Sequence, residues 1–130
     1  MKNENKITDG RKRNYNPEGR TIDFAVRIIQ VVESLPKTRA GNHIAGQLIR
    51  CGTSPASNYG EAQGAESRSD FIHKMNICLK ELRETRIWLT LINKTNLIKS
   101  VMIEPLLDEN EQLISVFATS VRTARKGKCS

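Results

Sequence analysis

From Phe71 to Ile92 apolar residues recur at alternating steps of four and three. Phe71, Met75, Cys78, Leu82, Leu89 and Ile92 form the series, and Thr85 is its one polar member. That period draws a single stripe down a helix and is incompatible with a strand, whose side chains alternate every two residues. Ser67 or Ser69 can cap this helix, Asp70 suits its positive first turn, and Asn93-Lys94-Thr95-Asn96 reads as the turn that ends it. At ~1.5 Å per residue it spans roughly 35 Å. A helix of that length with one apolar stripe needs partner helices of similar length. Trp88 lies beside the stripe and reads as a core or subunit-interface anchor; His73, Asn76, Lys80, Arg83 and Glu84 are expected to face away.

Three other segments have the same character. Residues 1–19 are polar and read as a flexible basic arm, with Asn16-Pro17 as a helix breaker. Thr21 then caps a first helix that runs to about Leu35, before Pro36. Asp23, Arg27, Gln30 and Ser34 form its narrow polar stripe, and Ile22, Phe24, Ala25, Val26, Ile28, Ile29, Val31, Val32 and Leu35 cover the rest. That apolar surface is wider than a surface helix of a monomer needs, so the helix is either central or packed on another subunit. A second helix starts near Thr38 or Asn42, with Ile44, Ala45, Leu48 and Ile49 as its stripe. At Ser54-Pro55 it either breaks, with Ser54 capping a new start, or continues with a kink. The last helix starts between Ser100 and Pro105 and runs to about Arg125, with Leu106, Leu113, Phe117 and Val121 inward and Gly127 as its stop.

These elements predict an all-α fold: an antiparallel up-down-up-down four-helix bundle over residues 20–126, with a short tail at 127–130. The 130 residues make one domain. In that topology the start of the first helix and the end of the fourth share one pole.

The formal charge is +7, and it is unevenly placed. Residues 1–20 hold six basic and three acidic side chains, residues 120–130 hold four basic and no acidic ones, and residues 21–119 hold eleven of each. Basic ends on a neutral body suggest a polyanionic partner such as nucleic acid, although solubility alone is a sufficient reason for them. The three cysteines, Cys51, Cys78 and Cys129, show no paired spacing, so neither a zinc site nor a redox motif is expected; free thiols fit a reducing, cytoplasmic setting. Residues 1–20 lack the apolar core of a secretion signal, and no apolar run approaches a membrane span.

The run from Gln47 to Ala62 (QLIRCGTSPASNYGEA), followed by Asp70-Phe71 and by Leu79-Lys80-Glu81-Leu82-Arg83-Glu84-Thr85, resembles the signature of a known family. These are the four-helix-bundle proteins of ribosomal-RNA intervening sequences. The resemblance covers roughly residues 20–125 and is most specific from Gln47 to Trp88. The family commonly has Ile or Val where Pro55 stands, and Ile-Ala where Tyr59-Gly60 stands. It implies a homopentamer, and kinship with the basic accessory subunit of diversity-generating retroelements, which binds nucleic acid and the element's reverse transcriptase.

Catalytic chemistry has little to stand on. His43 and His73 have no carboxylate or cysteine at ligand spacing, and no glycine loop precedes a helix in the way that cradles phosphate. The expectation is a protein without catalytic, cofactor or metal sites. Arg50, Asn58, Glu61, Glu81 and Glu84 coincide with the family signature and are expected to form a polar network between the second and third helices. Arg50 reads equally as a nucleic-acid contact. The candidate nucleic-acid-binding set is Arg11, Lys12, Arg13, Arg50, Arg122, Arg125 and Lys126. The two functional readings are an RNA- or RNA/DNA-binding accessory protein and a protein–protein scaffold that touches no nucleic acid.

Overall fold

A computed structural model describes residues 16–127. Four helices account for most of them: α1 (Pro17–Ser34), α2 (Arg39–Gln63), α3 (Arg68–Lys94) and α4 (Ser100–Arg125). There is no strand among the described residues.

Helix α1 starts five residues earlier than its sequence suggests, with its cap at Asn16 and not Thr21. Asn16 is the cap, its side chain accepting a hydrogen bond from the Glu18 amide at 3.0 Å, and Pro17 is the first helical residue. A proline is well suited to that position, because the amide it lacks would have no partner there. Asn16-Pro17 therefore starts the helix instead of closing the arm, and Thr21, the expected cap, is buried inside it with its hydroxyl donating to the Pro17 carbonyl.

Helix α2 is continuous from Arg39 to Gln63 with Pro55 inside it, which settles the choice between a break and a kink against the break. Thr38 caps it through the Gly41 amide. Pro55 is buried, and its carbonyl accepts a weak hydrogen bond from Cys78 Sγ on α3 at 3.6 Å. Gly52 lies against Ile28 of α1: a Cβ there would fall 2.7 Å from Ile28 Cγ2. Close approach of α1 and α2 thus depends on Gly52. Gly60 plays no such part, since a Cβ on it would meet nothing within 4 Å.

Helix α3 is capped by Ser67. Its Met75, Cys78, Leu82, Thr85, Leu89 and Ile92 are buried as the heptad demands, and Phe71 is half-buried. Thr85 satisfies its hydroxyl on the Glu81 carbonyl at 2.8 Å, so its place in the core leaves no donor unmet. Helix α4 turns Ile103, Leu106, Leu113, Phe117, Val121 and Ala124 inward and gives way to Gly127 at φ 74. The core is aliphatic, with Phe24 and Phe117 its largest members; Phe117 stacks on Tyr59 with centroids 5.4 Å apart.

One core position goes against its surroundings. Asn110 of α4 is fully buried, and neither its amide nitrogen nor its carbonyl oxygen has a hydrogen-bond partner among the described residues. An unsatisfied buried amide costs about 1–3 kcal/mol. Three residues on one face of α1, by contrast, are apolar and open: Ile22, Val26 and Ile29 are about half exposed.

Candidate interhelical network and basic surfaces

Arg50 sits on α2 facing α3, one turn from Gln47. Its Nη1 donates to Glu81 Oε1 at 3.2 Å, and its Nη2 to Glu84 Oε2 at 2.6 Å and to Gln47 Oε1 at 3.2 Å. Glu81 and Glu84 are three apart on α3, so helical geometry puts both carboxylates within reach of one guanidinium. Glu84 also accepts from Trp88 Nε1 at 3.1 Å, and Trp88 meets His43 edge-on with centroids 5.7 Å apart. Glu84, about a third exposed, therefore leans towards α2, contrary to the fully outward direction its sequence position suggests. The carboxylates raise the Arg50 pKa, Glu84 most strongly through its hydrogen bond.

The other two members of the expected network lie elsewhere. Glu61 pairs with Lys74 at 2.7 Å, more than two turns along α2. Asn58 stays on its own helix, its amide donating to the Ser54 carbonyl at 3.1 Å and hydroxyl at 2.8 Å. What looked like one network is two separate α2–α3 links and a local contact.

Sequence reasoning missed a further link. Arg20 is 8% exposed; its Nε donates to Glu109 Oε2 at 3.0 Å and its Nη2 to Glu109 Oε1 at 2.9 Å and Gln112 Oε1 at 3.2 Å. A two-pronged pairing of this kind matches guanidinium to carboxylate geometry. Arg20 falls among the six basic side chains of residues 1–20, but its charge is used inside the fold. The contact also places the start of α1 beside the middle of α4. Roughly 20 Å of helix separates Gln112 from Arg125, so α1, the shorter helix, begins partway along α4 and short of the pole where α4 ends. The neighbour at that pole is α3: the Arg68 guanidinium lies beside Gly127, where an added Cβ would be 3.7 Å from Arg68 Nη2. Arg122, Arg125 and Lys126 are exposed there, and none of the four cations has an ion pair with a described carboxylate. Arg11, Lys12 and Arg13 lie outside the described residues.

Cys51 and Cys78 are buried free thiols. Burial pushes Cys51 up to about 11 and Cys78 up to about 12. An unfolded thiol loses its proton near ~8.5, so above that pH the unfolded chain binds fewer protons than the folded one. Stability is unaffected below the unfolded value and falls as pH rises towards the folded ones. Urea unfolding from about pH 8 to about pH 10 should show a loss approaching ~1.4 kcal/mol per pH unit for each thiol. The Cys51→Ala/Cys78→Ala variant should lose less; parallel pH profiles for the two proteins would refute this.

Among the described residues no group of histidine, cysteine and acidic side chains is placed to hold a metal ion, and no helix is long and apolar enough to cross a membrane.

The profile of the 23S rRNA-intervening sequence protein family matches residues 6–118. A crystal structure of a protein with unknown function, from the S23 ribosomal protein family of Bacteroides thetaiotaomicron VPI-5482, is similar over most of this chain: 33% identical, TM-score 0.78, covering 82% of this chain and 99% of that one. No curated protein matches the sequence. With most of its length matched by that profile, the chain belongs to the 23S rRNA-intervening sequence protein family.

Proposed function

We propose that this protein is a non-enzymatic, cytoplasmic, homopentameric bundle of up-down-up-down topology that binds RNA through basic surfaces. The observation that carries the reading is the cluster of Arg68, Arg122, Arg125 and Lys126 at one pole, exposed and free of carboxylate partners among the described residues. Unneutralised cations that converge from two helices are suited to phosphate and carry no base readout. Self-assembly is supported by Ile22, Val26 and Ile29, an apolar face of α1 that no described residue covers. The antiparallel order is supported by short connections and by α2–α3 contacts that run early to late, from His43 with Trp88 to Glu61 with Lys74. Service to a retroelement reverse transcriptase rests on the resemblance alone.

Two measurements test the reading. Light scattering should give a particle near five times the 14.7 kDa chain, and a monomer at micromolar concentration refutes assembly. RNA affinity should fall steeply with salt, and Arg122→Gln/Arg125→Gln/Lys126→Gln should flatten that dependence by about 2 in log–log slope. Salt-independent binding, or none by the intact protein, refutes the nucleic-acid role.

A further inference from the structure

The acids of α3 are Asp70, Glu81 and Glu84. Asp70 is in the capped first turn, and Arg50 draws the other two towards α2. The face of α3 turned away from the core is left with no acid at all. His73, Lys80, Arg83, Ile87, Leu91 and Lys94 are all exposed and succeed one another at steps that keep one side of a helix. Lys80, Arg83 and Lys94 form no ion pair among the described residues. Ile87 and Leu91, 53% and 40% exposed, fill the gap between Arg83 and Lys94. On the α4 flank Arg86 holds Glu111 at 3.2 Å, and on the α2 flank stands Arg50.

We propose that this outer face of α3 is a docking strip for one strand of single-stranded RNA, with phosphates on Lys80, Arg83 and Lys94 and sugars and bases over Ile87 and Leu91. The inference rests on the nucleic-acid reading above and adds a surface to it. The row of cations is one side chain wide and roughly 20 Å long, which follows a single backbone; a duplex presents two backbones across a groove. The apolar pair suits sugars and unpaired bases, which a duplex keeps stacked inside. The strip has no exposed aromatic ring and so offers no strong stacking, and binding should tolerate any sequence. An acidic helix from a protein partner is the competing occupant. The strip opposes it on one count: Ile87 and Leu91 make too short an apolar ridge for the several turns over which a helix docks in a groove.

The test is fluorescence anisotropy with a labelled oligouridylate of about 20 nucleotides, longer than the strip, on the full chain, on Lys80→Gln/Arg83→Gln/Lys94→Gln and on the pole variant. The α3 variant should bind at least about tenfold more weakly, with a log–log salt slope lower by about 2, as expected for three phosphate contacts on a single strand. Its thermal melting should match the parent, because the three side chains are exposed and unpaired. Parental affinity in the α3 variant, with loss in the pole variant, overturns the strip and leaves the proposed function standing. Failure of the parent to bind overturns both. Weaker binding with an unchanged salt slope overturns the strip as a phosphate site. Competition by polyglutamate as strong as by unlabelled oligouridylate overturns it in favour of an acidic protein partner.

Discussion

Replacing Glu109 by alanine should lower the stability of the protein by about 3 kcal/mol and its Tm by roughly 10 °C. The loss comes from what is left behind. Arg20 stays almost wholly out of water, and two of its three hydrogen bonds end on Glu109. With the carboxylate gone, only the Gln112 oxygen remains in place for a full charge. Removing both charges is a different experiment. Arg20→Met/Glu109→Leu puts apolar bulk on both sides of the contact and should recover most of the loss, since a buried pair gains little over well-packed hydrophobic residues. Thermal melts of the parent, the single and the double variant measure this directly. A Tm for Glu109→Ala within about 2 °C of the parent would mean that the contact does not hold α1 to α4.

The glycines of α2 should divide into two pairs of opposite sign. Gly41→Ala puts a methyl group into the Pro36 carbonyl oxygen, in the tight turn that leads into the helix. A main-chain atom cannot step aside, so a loss of about 2–3 kcal/mol is expected. Gly52→Ala pushes into Ile28, which is itself fully buried, and costs about 1–2 kcal/mol after the gain in helix propensity is set against the overlap. Gly46→Ala and Gly60→Ala meet open space and should stabilise by about 0.5–1 kcal/mol. Urea unfolding of the four variants gives the signs. Stabilisation by Gly41→Ala would show that the Pro36 turn is not as described.

The features that could be read in advance were those decided by a helix's own period or by its ends. The α3 heptad and the Gly127 stop are of this kind; Thr38 and Ser67 are each one of two starts that the sequence offers, and the pairing of Arg50 with Glu81 and Glu84 follows the family signature, since helical spacing alone turns Glu84 outward. Asn16-Pro17 was misread because the same dipeptide serves as breaker or starter, and only the helix beyond it decides. Arg20 looked like one more arm charge because its partner is 89 residues away, and no local pattern announces that pairing. Asn58 matches the family signature yet spends its amide on its own helix, so the signature alone did not reveal whom it touches. Asn110 falls on the inward stripe between Leu106 and Leu113, but its acidic neighbours Glu109 and Glu111 mask that position, and what the sequence does not show is that its amide stays unpaired there.

The Arg50 pairing with Glu81 and Glu84 affects how the protein looks to an ion approaching through water. Summed over residues 21–119 the charges cancel, and from far away that stretch would exert no pull. At physiological ionic strength, however, a charge is felt over only about 8 Å. Within that range the approaching ion senses the nearest helix face and not the total. By holding two acids between helices, Arg50 leaves the outer side of α3 positive in a stretch that is neutral by count. Attraction would then be local and directional, and diluting the salt would blur it by letting the distant acids be felt as well.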